Sequence, residues 1–213
     1  MKIGIIGCGN IGGTLARLWV GAGHEVILSS RHPEQLIPLA RTLGDKASVG
    51  TPEEASRLGD VILLSIPLGL IPGLSETVKS SLRGKIVMDT CNPYPERDGK
   101  FGEEALHDAA GSGVWVAKHL PGAIVVKAFN SVYYRQLQSE AHRSSTPLGI
   151  PLASNDNAAM STVSKLVLDA GFGPLIVGKL DRAKDFDNGT TPYASGATVD
   201  ELEAMLELSS ESG

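Results

Sequence analysis

The chain has 213 residues, of which 42% are hydrophobic and 20% charged, with a formal net charge of −5. That length fits one domain with at most a small appendage. The apolar content excludes global disorder, and the acidic balance argues against a nucleic-acid partner.

Lys2–Ile6 is a short apolar run that reads as a buried strand. Glycines follow at 7, 9, 12 and 13, and Ile11, Leu15, Leu18 and Trp19 then recur at helical spacing up to Ala22, where Gly23 stops the helix. Glu25–Ser29 is a second strand, Pro33 opens a helix ending near Gly44, and Lys46–Gly50 is a third strand. Thr51, with Glu54 three residues on, predicts a capped helix start. Asp60–Ile66 is the most hydrophobic strand and ends at Pro67. A helix over Leu70–Leu82 and a strand over Lys85–Asp89 follow.

From Cys91 to Gly113 the pattern loosens into a glycine- and proline-rich loop, with a short helix predicted at Glu103–Ala110. Beyond it come a helix at Ser112–His119, a strand at Ala123–Ala128 and a helix at Tyr133–Ala141. Thr146–Ala153 is apolar, but Pro147 and Pro151 predict an edge strand. A helix at Asn157–Ala170, a strand at Phe172–Val177 and a helix at Val199–Leu208 complete the order, with fraying expected over Ser209–Gly213. Alternating helices and continuously apolar strands predict an α/β fold, a doubly wound, mostly parallel sheet of Rossmann-like type. The expected division is a dinucleotide-binding domain over residues 1–178 and a short C-terminal extension over 179–213.

Gly7-Cys8-Gly9-Asn10-Ile11-Gly12 is a G-x-G-x-x-G placed between a strand and its helix, the context that makes this motif informative. Gly7 permits the tight turn, Gly9 lets a pyrophosphate approach the backbone, and Gly12 allows close helix–strand packing. A site for NAD would carry Asp or Glu at the end of the second strand. This chain has Ser29-Ser30-Arg31-His32 instead. Arg31 can fork onto a 2′-phosphate and Ser30 can donate a hydroxyl to it, so NADP(H) is the expected cofactor. Ser65, Ile66 and Pro67 end the fourth strand at the switch point, and Asn92 and Asn130 follow the next two strands. Those two asparagines are the polar groups best placed to fix the nicotinamide carboxamide or a substrate. No metal-ligand spacing is present, and two isolated cysteines form neither a disulfide framework nor a metal cluster. No apolar run approaches the ~18 residues of a membrane span, so a cytoplasmic protein without a membrane partner is expected.

These motifs, with Val126-Lys127-Ala128-Phe129-Asn130, resemble the NADP oxidoreductase family founded on coenzyme F420-dependent reductases. They are also similar to the cytoplasmic domain of the six-transmembrane epithelial antigen ferric reductases. The resemblance implies that Gly7, Gly9, Asn10, Ile11 and Gly12 hold the pyrophosphate and that Ser30 and Arg31 hold the 2′-phosphate. It implies that Ser65, Ile66, Pro67 and Ala128–Asn130 face the nicotinamide. It further implies hydride transfer between NADPH and coenzyme F420, FMN or FAD without a catalytic side chain, and a homodimer. Two alternatives stand beside that reading. One is an NADP(H)-binding sensor without turnover. The other is a reductase of a small carbonyl or imine, for which Tyr133, Tyr134 and His119 are the available side chains.

Overall fold

The computed structural model describes residues 1–208, so the predicted fraying at 209–213 lies outside the described residues. The strands are β1 (Lys2–Ile6), β2 (Glu25–Ser29), β3 (Ala47–Gly50), β4 (Val61–Leu64), β5 (Ile86–Asp89), β6 (Ile124–Lys127), β7 (Gly149–Ser154) and β8 (Gly173–Gly178). Among the described residues they form one sheet in the order β3-β2-β1-β4-β5-β6-β7-β8. The first six run parallel. β7 is antiparallel to β6, and β8 follows β7 in parallel. This is the doubly wound, Rossmann-like α/β sheet that the alternating pattern predicts.

Helices cover both faces. On one, Ile3, Ile5, Val26, Leu28, Leu63 and Val126 pack under α1 (Asn10–Gly21) and α9 (Asn157–Asp169). On the other, Ile6, Ile62, Leu64 and Val87 pack under α3 (Pro52–Leu58), α4 (Glu76–Ser81) and α7 (Ser112–His119). β1, β2, β4 and β5 therefore supply apolar side chains to both faces, which explains their apolar runs. Trp19 fastens α1 to α9 by donating its indole N–H to Leu166 O at 2.8 Å.

Three local expectations change. The helix predicted over Leu70–Leu82 divides into a 3-10 turn at Leu68–Gly73 and α4. Pro72 lacks the N–H to continue an α ladder, and Ser75 caps a new helix by accepting from Val78 N–H at 3.3 Å. The loop helix lies earlier than predicted, as α5 (Pro95–Asp98) and α6 (Lys100–Leu106). β7 is internal, not an edge. It pairs with β6 only through Ser154 and Ala153, so Pro151 lies beyond the β6 ladder and its missing N–H breaks no bond there. The capping box read at Thr51 is present, with Glu54 N–H to Thr51 Oγ1 at 3.2 Å and the return bond from Thr51 N–H to Glu54 Oε2 at 2.8 Å.

The chain leaves β8, makes a 3-10 segment over Leu180–Phe186, and crosses the C-terminal ends of β5 and β6 before α10 (Val199–Met205). This crossing is tied down by Asn188 Nδ2 donating to Pro93 O at 2.9 Å and by Ala194 N–H donating to Ser131 O at 2.7 Å.

Candidate active site

Two cavities adjoin at the C-terminal ends of the strands. The larger, about 710 Å³, is lined by Gly7, Gly9, Ser30, Arg31, Gln35 and Phe101 among others. The smaller, about 340 Å³, is lined by Asn10, Ile11, Asn92, Asn130 and four tyrosines, Tyr94, Tyr133, Tyr134 and Tyr193. Gly9, Ser65, Ile66 and Pro67 belong to both and form the wall between them.

The glycine loop has the shape a dinucleotide requires. Gly7 sits at φ +99°, and a Cβ there would lie 2.2 Å from Ser65 O. A Cβ on Gly12 would lie 2.1 Å from Gly7 O, so Gly12 serves the packing of α1 on the loop. A Cβ on Gly9 would meet nothing within 4 Å. That opening is the cradle where pyrophosphate would rest. The first helical bond runs from Gly13 N–H to Gly9 O at 2.8 Å. No side chain caps the helix start and no acidic residue lies in its first turn. The amides of its first turn are thus left for an anion. Gly9→Val is expected to keep the fold and melting temperature while abolishing NADPH binding, measured by calorimetric titration. Retained affinity would refute the loop assignment.

Arg31 is exposed at the rim of the larger cavity. Ser30 Oγ accepts from His32 N–H at 3.0 Å, which orients the hydroxyl and leaves its proton to donate. At the other end, Phe129 takes a left-handed φ of +59°. A bulky residue pays of order 1–3 kcal/mol for that. The ring is fully buried, edge-on to Trp19 at 6.3 Å and to Phe172 at 6.1 Å. The turn so held is followed by Asn130 at the smaller cavity. Ala128 itself is wholly buried, its N–H tied to Asp89 O at 3.1 Å.

Below the smaller cavity is a buried ionic cluster. Lys127 has no exposed side-chain surface and donates to Asp89 Oδ2 at 3.0 Å, to Ser112 Oγ at 2.9 Å and to Cys91 O. Asp187 Oδ1 is 3.9 Å from the same ammonium. Burial opposes the Lys127 charge, but Asp89 and Asp187 outweigh it and hold the ammonium above its ordinary pKa. Burial pushes the Asp187 carboxyl up, against the pull of Lys127. Desolvation raises both thiols, Cys8 to about 12 and Cys91 well above the ordinary range, so neither is a nucleophile.

Most of the residues read from sequence divide by cavity, while Gly12 and Ala128 line neither. Gly7, Ser30 and Arg31 line the larger one; Asn10, Ile11, Asn92 and Asn130 line the smaller; Gly9, Ser65, Ile66 and Pro67 line both. Tyr133 and Tyr134 reach the smaller cavity, whereas His119 stacks on Trp115 at 3.9 Å and bonds that residue's carbonyl. Sequence reasoning missed Tyr94, Arg97, Asp187 and Tyr193, and treated Lys127 as a strand residue. Tyr94 Oη and Tyr193 Oη are 2.5 Å apart. Arg97 lies over the Tyr94 ring at 4.8 Å, is paired with Asp98 at 2.7 Å, and donates to Asn92 O at 2.9 Å. The one signal available was an aromatic residue inside the polar stretch after residue 178.

Residues 2–93 match the family described as NADP oxidoreductase, coenzyme F420-dependent. That stretch holds β1 to β5 and the helices between them. The chain is 29% identical to the metalloreductase STEAP3 of Rattus norvegicus over 186 residues, 87% of this chain and 36% of the relative. It thus spans about a third of the length of that metalloreductase. A structure described as an F420-dependent NADP reductase from Arthrobacter sp. FB24 superposes with a TM-score of 0.72 at 22% identity, covering 86% of this chain and 87% of that one. An imine reductase from Myxococcus stipitatus superposes with a TM-score of 0.62 at 18% identity, covering 97% of this chain and 61% of that enzyme. Fold and homology match NADP-dependent oxidoreductases. Among the described residues no helix is long and apolar enough to cross a membrane, and no group of three His, Cys, Asp or Glu side chains could hold a metal.

Proposed function

We propose that this F420-dependent NADP oxidoreductase family fold serves an NADPH-dependent reductase of a small carbonyl or imine. The observation that carries the reading is the tyrosine-lined cavity of about 340 Å³ beside the glycine loop. That volume is near the lower end of the ~300–1,000 Å³ of ligand sites, and it must take the nicotinamide ring as well as the acceptor. A flavin or deazaflavin ring system would be a tight companion there; a carbonyl or imine of few atoms would not. NADPH bound across the two cavities supplies the hydride.

The remaining tasks fall to the chain. Arg31 and Ser30 hold the 2′-phosphate, and the start of α1 holds the pyrophosphate. Ser65, Ile66 and Pro67 separate the two halves. The Tyr94–Tyr193 hydroxyl pair supplies the proton: one phenol donates to the other, and the second phenol's proton is left to donate to the oxygen or nitrogen of the acceptor as charge develops on it. Burial, the largest influence, pushes Tyr193 above the ordinary phenol pKa, with Tyr94 adding to it; the phenol is protonated at neutral pH and gives up its proton only as charge builds on the acceptor.

Purified protein with NADPH and a panel of small ketones, aldehydes and cyclic imines, set beside coenzyme F420, FMN and FAD, tests the reading. Acceptor-dependent loss of reduced-nicotinamide absorbance with the carbonyl or imine arm is expected. Turnover only with the flavin-type arm would overturn it in favour of ring-to-ring transfer. Tight binding with no oxidation in any arm would overturn it in favour of a sensor. Tyr193→Phe is expected to lower kcat about a hundredfold with KM for NADPH unchanged. A fall in NADPH affinity with kcat preserved would show that Tyr193 only shapes the cavity.

A further inference from the structure

The side-chain amide of Asn130 is held one way round. Its Nδ2 faces three acceptors and no donor: Asp187 Oδ1 at 3.2 Å, Asn92 Oδ1 at 3.3 Å and Phe186 O at 3.4 Å. Turning the amide over would set oxygen against all three. Its Oδ1 is therefore fixed on the side away from those three acceptors, and that atom is buried with no hydrogen-bond donor among the described residues. A buried acceptor left unpaired costs about 1–3 kcal/mol, so this atom calls for a donor from a ligand or a bound water. Asn130 is 1% exposed and lines the smaller cavity.

The three acceptors are not equal. Asn92 is itself a reversible amide, and Phe186 O is the longest of the contacts. Asp187 is the one side chain among them that, when ionised, can only accept. It is held in that role by Ser112 N–H, which donates to Oδ2 at 3.2 Å, and by the Lys127 ammonium on its other oxygen's side. Lys127 is fixed in turn by Asp89. A chain of fixed charges thus runs from the sheet, through the C-terminal extension, to one amide at the cavity.

We propose that Asn130 Oδ1 accepts a hydrogen bond from the carboxamide N–H of the nicotinamide, and that Asp187 is the positioning residue that keeps Asn130 in the accepting orientation. This rests on the assignment of the cavities to NADP(H), not on the acceptor that is reduced. The extension after β8 therefore acts on the cofactor as well as closing the substrate side. Its contribution is discrimination: it lets the site tell a carboxamide from an isosteric ketone.

Calorimetric titration of the full chain with NADP⁺ and with its acetylpyridine analogue, in which a methyl group replaces the amide NH₂, tests this without turnover. The wild-type protein is expected to bind NADP⁺ about tenfold tighter than the analogue. Asp187→Ala removes the side-chain carboxylate that faces Asn130 Nδ2. It is expected to bring the ratio to about one mainly by weakening NADP⁺, with the analogue's Kd held within about twofold. Asn130→Ala is expected to do the same. Equal wild-type affinities would overturn the proposal and leave Oδ1 to a water molecule. Equal weakening of both nucleotides in Asp187→Ala, or an unchanged ratio, would overturn the positioning role and leave Asp187 a purely structural residue. Should Asp187→Ala fail to fold, Asp187→Ser gives the same comparison. A failed carbonyl screen would leave the affinity ratio intact, and a ratio of one would leave carbonyl reduction intact, so the two readings fail separately.

Discussion

Lys127→Met is expected to destabilise the protein by about 3–5 kcal/mol, the usual cost of removing one member of a buried ion pair. In a domain of this size that lowers the melting temperature by roughly 6–20 °C. The lysine is wholly buried, and so is Asp89 opposite it in the β5–β6 register. Methionine fills the volume but strands the Asp89 carboxylate, whose remaining hydrogen bond is from Cys91 N–H at 2.8 Å. Adding Asp89→Asn removes the stranded charge, so the double variant is expected to recover part of the loss. Thermal unfolding of the three proteins decides it. If Lys127→Met melts within a degree or two of wild type, the cluster is not the strut described above.

Arg31→Ala is expected to raise the KM for NADPH about ten- to a hundredfold, the range for losing a hydrogen-bonded charge partner, and to leave NADH little changed. Arg31 is exposed and takes no part in the core, so melting temperature is expected to hold. Steady-state kinetics or titration with both nucleotides reads the selectivity directly. Equal losses for NADPH and NADH would show that the guanidinium stacks on the adenine, or only steers anions, and does not contact the 2′-phosphate.

The part of the molecule legible in the sequence is the part built from local rules. The Gly7–Gly12 loop is set by what a glycine can do at each position. The parallel strands declare themselves by unbroken apolar runs, and Thr51 and Glu54 announce their cap three residues apart. Ser30 and Arg31 follow from a single missing carboxylate at a known distance. What the sequence concealed depends on contacts between residues far apart in the chain. Tyr94 meets Tyr193 across 99 positions and Asn130 meets Asp187 across 57. Their identity as site residues comes only from the crossing of the extension over β5 and β6. Lys127 is visible in the sequence only as a strand residue, because a lysine inside an apolar strand reveals nothing of the carboxylate in the neighbouring strand. The misplacement at Leu70–Leu82 has a different origin: Pro72 and Ser75 are local signals that helical periodicity outweighs.

The two cavities differ in where along the chain their walls are encoded. Every residue lining the larger one lies between Ile6 and Phe101, whereas the smaller needs Tyr193. During synthesis the walls of the larger cavity are thus complete long before those of the smaller, and the family match over residues 2–93 falls on that earlier part. A lineage can hold its nucleotide half constant and exchange its chemistry by rewriting the later segment. Relatives that share the same opening stretch therefore need not share a substrate.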